Sequence, residues 1–106
     1  MIKKVITFMS IVCIIVVSLA MISLANYYVS DMGCTYAYDG SGWYNQGWAK
    51  VSSAGSNYVV TVGVKKNGLI YGLRNTVVSN GYITTCYSYK VYGLGNADVY
   101  MRINPQ

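Results

Sequence analysis

Histidine and glutamate are both missing from the 106 residues, and the only side-chain carboxylates are three aspartates. General acid–base catalysis draws on histidine or on tuned carboxylates. Zinc sites of the usual kind draw on clustered histidine and cysteine, and a cysteine nucleophile needs a base beside it. Asp31, Asp39 and Asp98 stand at no spacing that suggests a catalytic pair. Neither a P-loop nor a dinucleotide fingerprint occurs, and Gly40-Ser41-Gly42 follows no buried strand and reads as a turn. The expectation is a protein that is not an enzyme and that uses no cofactor or metal.

Proline is nearly absent, with Pro105 lying beyond the last apolar run, and charge is scarce at 10% of residues. What charge there is divides the chain. Met1-Ile2-Lys3-Lys4 is basic, and Val5 to Ala25 then runs without a charge to the small residues of Ser23-Leu24-Ala25. This is the three-part pattern of a secretory signal helix, with cleavage expected before Asn26. The same run is long enough to stay uncut as a membrane anchor. Either way Lys3 and Lys4 stay cytoplasmic and the chain after Ala25 lies outside. Cys13, without a preceding lipobox, reads as apolar filler. The expected organisation is a signal peptide or anchor over 1–25 and one exported domain over 26–106, secreted or tethered at the cell surface.

In that domain six cations (Lys50, Lys65, Lys66, Arg74, Lys90, Arg102) stand against three aspartates, a net of +3. The balance favours anionic surfaces, but the cations do not cluster as a nucleic-acid footprint does. Two cysteines remain, Cys34 and Cys86. An even count in an exported chain predicts a disulfide, which would staple a small core.

No stretch after Ala25 has helical periodicity. Valine, tyrosine, threonine and isoleucine dominate, and turns rich in glycine and asparagine recur, which is strand composition. Asn67-Gly68 and Asn80-Gly81 each fit a two-residue type I′ hairpin turn. Lys66 then faces Leu69, and Ser79 faces Tyr82. A simple closure over Gly93 to Asn96 makes Tyr92 face Ala97. The result is a four-stranded antiparallel meander with its valines on one side. Its rows are Val62, Leu73, Ser88, Met101; Val60, Asn75, Cys86, Ile103; and Val64, Tyr71, Lys90, Val99. A slip of one residue would break this agreement.

Cys86 thus faces the core, with Cys34 as its expected partner. The bond would hold the segment containing CTYAYD and GWAKVSS over the meander, with Trp43 and Trp48 as apolar caps. Two such layers make a small all-β sandwich. Asn75 and Lys90 fit the inner face poorly, although Lys90 lies near an edge, where its ammonium can reach water.

The opposite face carries Gly63, Gly72, Tyr89 and Tyr100 in one row and Thr61, Arg74, Tyr87 and Arg102 in the next. Tyr89 is expected to cover the two glycines, and Tyr87 to lie between two guanidinium groups. Arg74, Tyr87, Tyr89, Tyr100 and Arg102 are therefore the candidate binding face. Tyrosine and arginine together suit an envelope glycan, an anionic lipid head group or a surface protein. The same residue types also build an ordinary solvated sheet. Nothing specifies an oligomer, and insertion in a membrane is expected only through Val5 to Ala25 if that run stays uncut.

VSSAGSNY, Val51 to Tyr58, with Gly42-Trp43 and Gly47-Trp48 upstream, resembles a stretch of the secreted bacteriocins of the lactococcin-972 family. The resemblance implies a secreted antimicrobial β-sandwich acting on the envelope of Gram-positive bacteria. The chain departs from the pattern in having two cysteines and no histidine after the motif, and no site residue is carried across.

Overall fold

The computed structural model describes residues 26–106, and the expectations for 1–25, Cys13 included, lie outside them. Seven strands follow in order: β1 (Tyr27–Tyr38), β2 (Trp43–Ser53), β3 (Tyr58–Lys66), β4 (Leu69–Val78), β5 (Ile83–Tyr87), β6 (Val91–Tyr92) and β7 (Asp98–Pro105). They form two antiparallel sheets. In the first, β2 pairs β1 on one side and β5 and β6 on the other; in the second, the order is β4-β3-β7. No helix among the described residues is long and apolar enough to cross a membrane.

The single meander is thereby corrected. β5 leaves β4 and joins β2, and β7 joins β3. The reason lies in the two Asn-Gly turns. At Asn67-Gly68 both central residues have positive φ, 53° and 80°, which is the type I′ geometry that closes β3 onto β4. At Asn80-Gly81 only Gly81 is positive, at 86°. The Tyr82 N–H still donates to the Ser79 carbonyl at 3.0 Å, closing a turn with the sign pattern of type II. That turn does not carry the twist of a hairpin, and the chain crosses to the other sheet.

The rows survive in altered form. Val60 pairs Ile103, Val62 pairs Met101 and Val64 pairs Val99, now as direct neighbours. Along β4 the register slips by one residue between Val62 and Val64, so Val62 faces Arg74 and not Leu73. Gly72, at φ 63°, takes up the extra residue as a bulge. Beyond it the side chains exchange faces. Asn75 is thereby removed from the core and accepts a hydrogen bond from Thr61 Oγ1 at 2.6 Å.

Between the sheets lies a core of Ala49, Val51, Val60, Val62, Val78 and Cys86, with Val29, Val99, Met101 and Ile103 packed against it. Burying each valine is worth about 2 kcal/mol. Period-two alternation is plain in β2, where Asn45, Gly47, Ala49, Val51 and Ser53 are buried and their neighbours are not. The sheets approach most closely where Gly47 meets Gly63: a Cβ on Gly47 would stand 2.5 Å from the Gly63 carbonyl oxygen.

Cys86 does face the core, fully buried. The expected bridge is not formed, and both Cys34 and Cys86 are free thiols. Cys34 faces Gly47 from β1 and Cys86 faces Ala49 from β5, so β2 runs between them. Two strand spacings come to ~10 Å, beyond the ~7 Å between Cα atoms that a disulfide spans. Nor do the tryptophans cap the core: Trp43 is 54% exposed, and Trp48 lies on the outer side of β2.

Candidate functional site

The five residues expected to share a face are dispersed. Tyr100 and Arg102 do lie together on the outer face of the β4-β3-β7 sheet, opposite Gly63 and Thr61. Tyr87 pairs Trp48 on the outer face of the other sheet, across the sandwich from them. Arg74 and Tyr89 meet at the seam between the sheets, with the guanidinium carbon 5.3 Å from the ring centroid. The Tyr89 N–H donates to the Gly72 carbonyl at 3.0 Å, tying the β5–β6 link to the bulge of β4. Tyr87 is therefore not flanked by arginines, and Tyr89 touches Gly72 through its backbone.

The link itself is built on Ser88, which is completely buried. Its Oγ accepts from the Gly47 N–H at 2.8 Å and donates to the Tyr89 carbonyl at 2.8 Å. Its own N–H donates to the Gly47 carbonyl, and Gln46 Nε2 donates to the Ser88 carbonyl at 3.0 Å. Every polar group of the serine is used, which fixes where β5 ends and where β6 returns to β2.

With β5 and β6 so placed, the outer face of the β2 sheet becomes a continuous aromatic surface. Tyr92 pairs Tyr44 across strands, with ring centroids 5.9 Å apart. Four residues further along β2, Tyr87 pairs Trp48, and Trp48 pairs Gly33 on the far side. The indole lies over that glycine: Cζ2, Cε2 and Nε1 stand 3.0–3.4 Å from where a Cβ would be. One side of the ring is thus covered by bare backbone. Tyr87 and Tyr92 are 46% and 45% exposed.

Charge on this face is balanced, with one ion pair at its Asp39 end. Asp39, at the end of β1, receives Ser41 N–H at 2.9 Å and the Tyr92 hydroxyl at 2.5 Å, and its Oδ2 lies 3.0 Å from Lys90 Nζ. The Tyr92 hydrogen bond, then Ser41 and Lys90, hold the carboxyl down to about 2. The carboxylate in turn raises both Lys90 and Tyr92 above their ordinary values. Lys90 Nζ also lies 4.5 Å over the Tyr44 ring. Lys90 is accordingly outside, in a charge cluster, and not on the inner face. Further along, Lys50 pairs Asp31 across strands.

A second exposed aromatic group occupies the reverse side of the β1–β2 hairpin near its turn. Trp43 stacks on Tyr36, with centroids 5.1 Å apart and planes at 26°, and Tyr38 lies 5.7 Å from Trp43. Among the described residues no group of three potential metal ligands occurs. Burial raises both thiols above the ordinary cysteine value, with the charge of Asp98 adding to the effect at Cys34. Neither resembles an activated nucleophile.

Trp48, Tyr44, Tyr92 and the Asp39–Lys90 pair were not legible as one site. The available signal was the alternation in WYNQGWAKVSS, where small residues occupy odd positions and large ones even. Glycine and alanine mark the side that packs closely, so Tyr44 and Trp48 belong to the side that does not. No protein-family model, curated protein or solved structure matches the chain.

Proposed function

We propose that residues 26–106 are an exported, non-enzymatic binding module that attaches to a component of a cell envelope or surface through the outer face of the β1-β2-β5 sheet. The observation that carries this reading is the aromatic surface of Tyr44, Trp48, Tyr87 and Tyr92, with Trp48 laid over Gly33. Tyrosine and tryptophan give large contact area for little lost side-chain freedom and keep a polar handle. The basic start followed by the uncharged run to Ala25 supports export. Residues Val51 to Tyr58, which carry the bacteriocin resemblance, contribute to the crossing between sheets: Gly55 N–H donates to Asn80 Oδ1 and Asn80 N–H to Asn57 Oδ1. They supply none of the aromatic surface.

Sedimentation of the protein with whole bacteria tests the reading. The double substitution Tyr87→Ser and Tyr92→Ser is expected to reduce the bound fraction about tenfold with the fold intact by circular dichroism. Retention of wild-type binding by that variant, or no binding by the parent protein to any of a broad panel of cells, would refute it.

A further inference from the structure

We infer that the ligand of the β1-β2-β5 outer face is an uncharged, extended glycan lying along the strands, with one sugar ring stacked on Trp48. The inference rests on the binding reading above and names its ligand class. Three features of the face select that class.

The first is charge. Lys50 and Lys90 are matched by Asp31 and Asp39, a net of zero on this sheet and its β5–β6 link, and Lys90 is held by Asp39 at 3.0 Å. The whole +3 of residues 26–106 therefore falls on the other sheet, where Lys65, Lys66, Arg74 and Arg102 face only Asp98. An anionic head group or polymer would be drawn to that sheet and not to this one. On the aromatic face Lys90 is held in its ion pair and Lys50 stands opposite Asp31, so no excess of positive charge draws an anion there.

The second is the seating of Trp48. Gly33 lets the indole lie against the backbone, and a Cβ there would stand 3.0 Å from Cζ2. A ring supported in this way meets a ligand as a platform. The flat, C–H-bearing side of a pyranose fits such a surface, while its hydroxyls project sideways towards polar groups. Those groups are in place: Thr35 and Gln46 form the row on one side of Trp48, and Asp31, Lys50 and Thr85 the row on the other.

The third is length. The Tyr44–Tyr92 and Trp48–Tyr87 rows are four residues apart along β2, about 14 Å at strand rise. That span exceeds a single sugar ring, so a chain of several units is needed to touch both rows. A peptide partner would instead add to a sheet edge or fill apolar pockets; the Tyr44–Tyr92 and Trp48–Tyr87 rows lie on the open face of the sheet, and the cleft at Tyr28 and Ser52 does not include them.

The test uses the full chain, expressed in a host able to export it, carrying Trp43→Phe. Trp48 is then the only indole, since the sequence has two. Its emission is followed during titration with β-1,4-linked oligomers of N-acetylglucosamine and of glucose, one to six units long, and with an anionic polymer, polygalacturonate. The expected result is a saturable emission change with the uncharged oligomers. Affinity should rise with length beyond two units and respond little to salt. Tyr87→Ser and Gly33→Val should each weaken it about tenfold. Gly33→Val guards against a trivial explanation, because it removes no ligand contact and only lifts the indole.

No saturable change with any uncharged oligomer would overturn the inference. So would an affinity unaltered in both variants, or binding confined to polygalacturonate and abolished by salt. If cells bind in the sedimentation assay while no oligomer does, the glycan assignment fails and the binding face stands. If neither binds, both fail.

Discussion

Gly47 and Gly63 govern how near the two sheets come. The Gly47 position has no room for a methyl group, with the Gly63 carbonyl oxygen at 2.5 Å and Val99 and Val62 methyls at 3.1 and 3.2 Å. The nearest obstacle is backbone, which cannot rotate away. Gly47→Ala should therefore cost about 3 kcal/mol, by the mechanism of core overpacking, read as a lowered urea midpoint with unchanged slope. A loss below about 0.5 kcal/mol would mean that the sheets are not held at this separation. Asp39 makes the clearest prediction in pH. Its pKa is depressed to about 2, so its contacts are complete above the ordinary 3.8 and are lost as pH falls through about 2. Lys90 and Tyr92 are raised, so their contribution is complete below ordinary values of 10.5 and 10.0 and is lost as pH climbs through the raised ones. The cluster should hold from about pH 4 to pH 10. Asp39→Asn should return Tyr92 towards 10.0 in a spectrophotometric titration; an unmoved Tyr92 would show that the carboxylate is not its partner.

The strand elements were largely legible, and the errors trace to two backbone features. Asn67-Gly68 specified its hairpin because both residues adopt positive φ. Asn80-Gly81 has the same letters, but its surroundings claim Asn80: the backbone N–H donates to Asn57 Oδ1 at 2.7 Å and the side chain accepts from Gly55 at 2.6 Å. Those partners come from the β2–β3 connection, distant in sequence, and no local pattern announces them. The other feature is the bulge at Gly72. A glycine inside a strand pattern is the usual mark of a bulge, yet LIYGLRNTVV alternates acceptably without one, and that alternation points Asn75 inward. Gly72 also lies against the β5–β6 link, where a Cβ would meet Val91 Cγ2 at 2.7 Å and the Tyr89 carbonyl oxygen at 3.0 Å. Gly72→Ala combines left-handed backbone, costing roughly 1 kcal/mol, with that clash. It should loosen the seam: amide exchange of Tyr89, which donates to Gly72, should accelerate while Val60 and Val62 on β3 change little. Unaltered Tyr89 exchange would contradict this role for the bulge.

Viewed whole, the molecule is built of two unlike sheets. One is aromatic and charge-balanced, on β1, β2, β5 and β6; the other carries the net positive charge, on β3, β4 and β7. Composition announced both ingredients, tyrosine and basic charge, and the meander register merged them into a single face because it kept β5 beside β4. Once β5 moves to β2, Tyr87 leaves Arg74 and Arg102 behind and gains Trp48. The hairpin of β1 and β2 also carries the surface away from Asn26. β1 runs twelve residues from Tyr27 to Tyr38, about 37 Å of strand, so the Tyr44–Tyr92 row lies near the end remote from the point where residues 1–25 join. A module attached at that point would present its aromatic end outward.

Tyrosine itself offers the most direct measurement, because tyrosines lie on both faces and at the crossing, Tyr100 half-buried on the basic sheet. Protein bound to cells and protein free in solution are nitrated with tetranitromethane, and the modified positions are read by peptide mapping. The account predicts that binding protects Tyr87 and Tyr92, while Tyr100 and Tyr82, the latter 66% exposed near the crossing, react as they do in free protein. Protection of Tyr100 with Tyr87 and Tyr92 still reactive would place the target on the basic sheet and contradict the account.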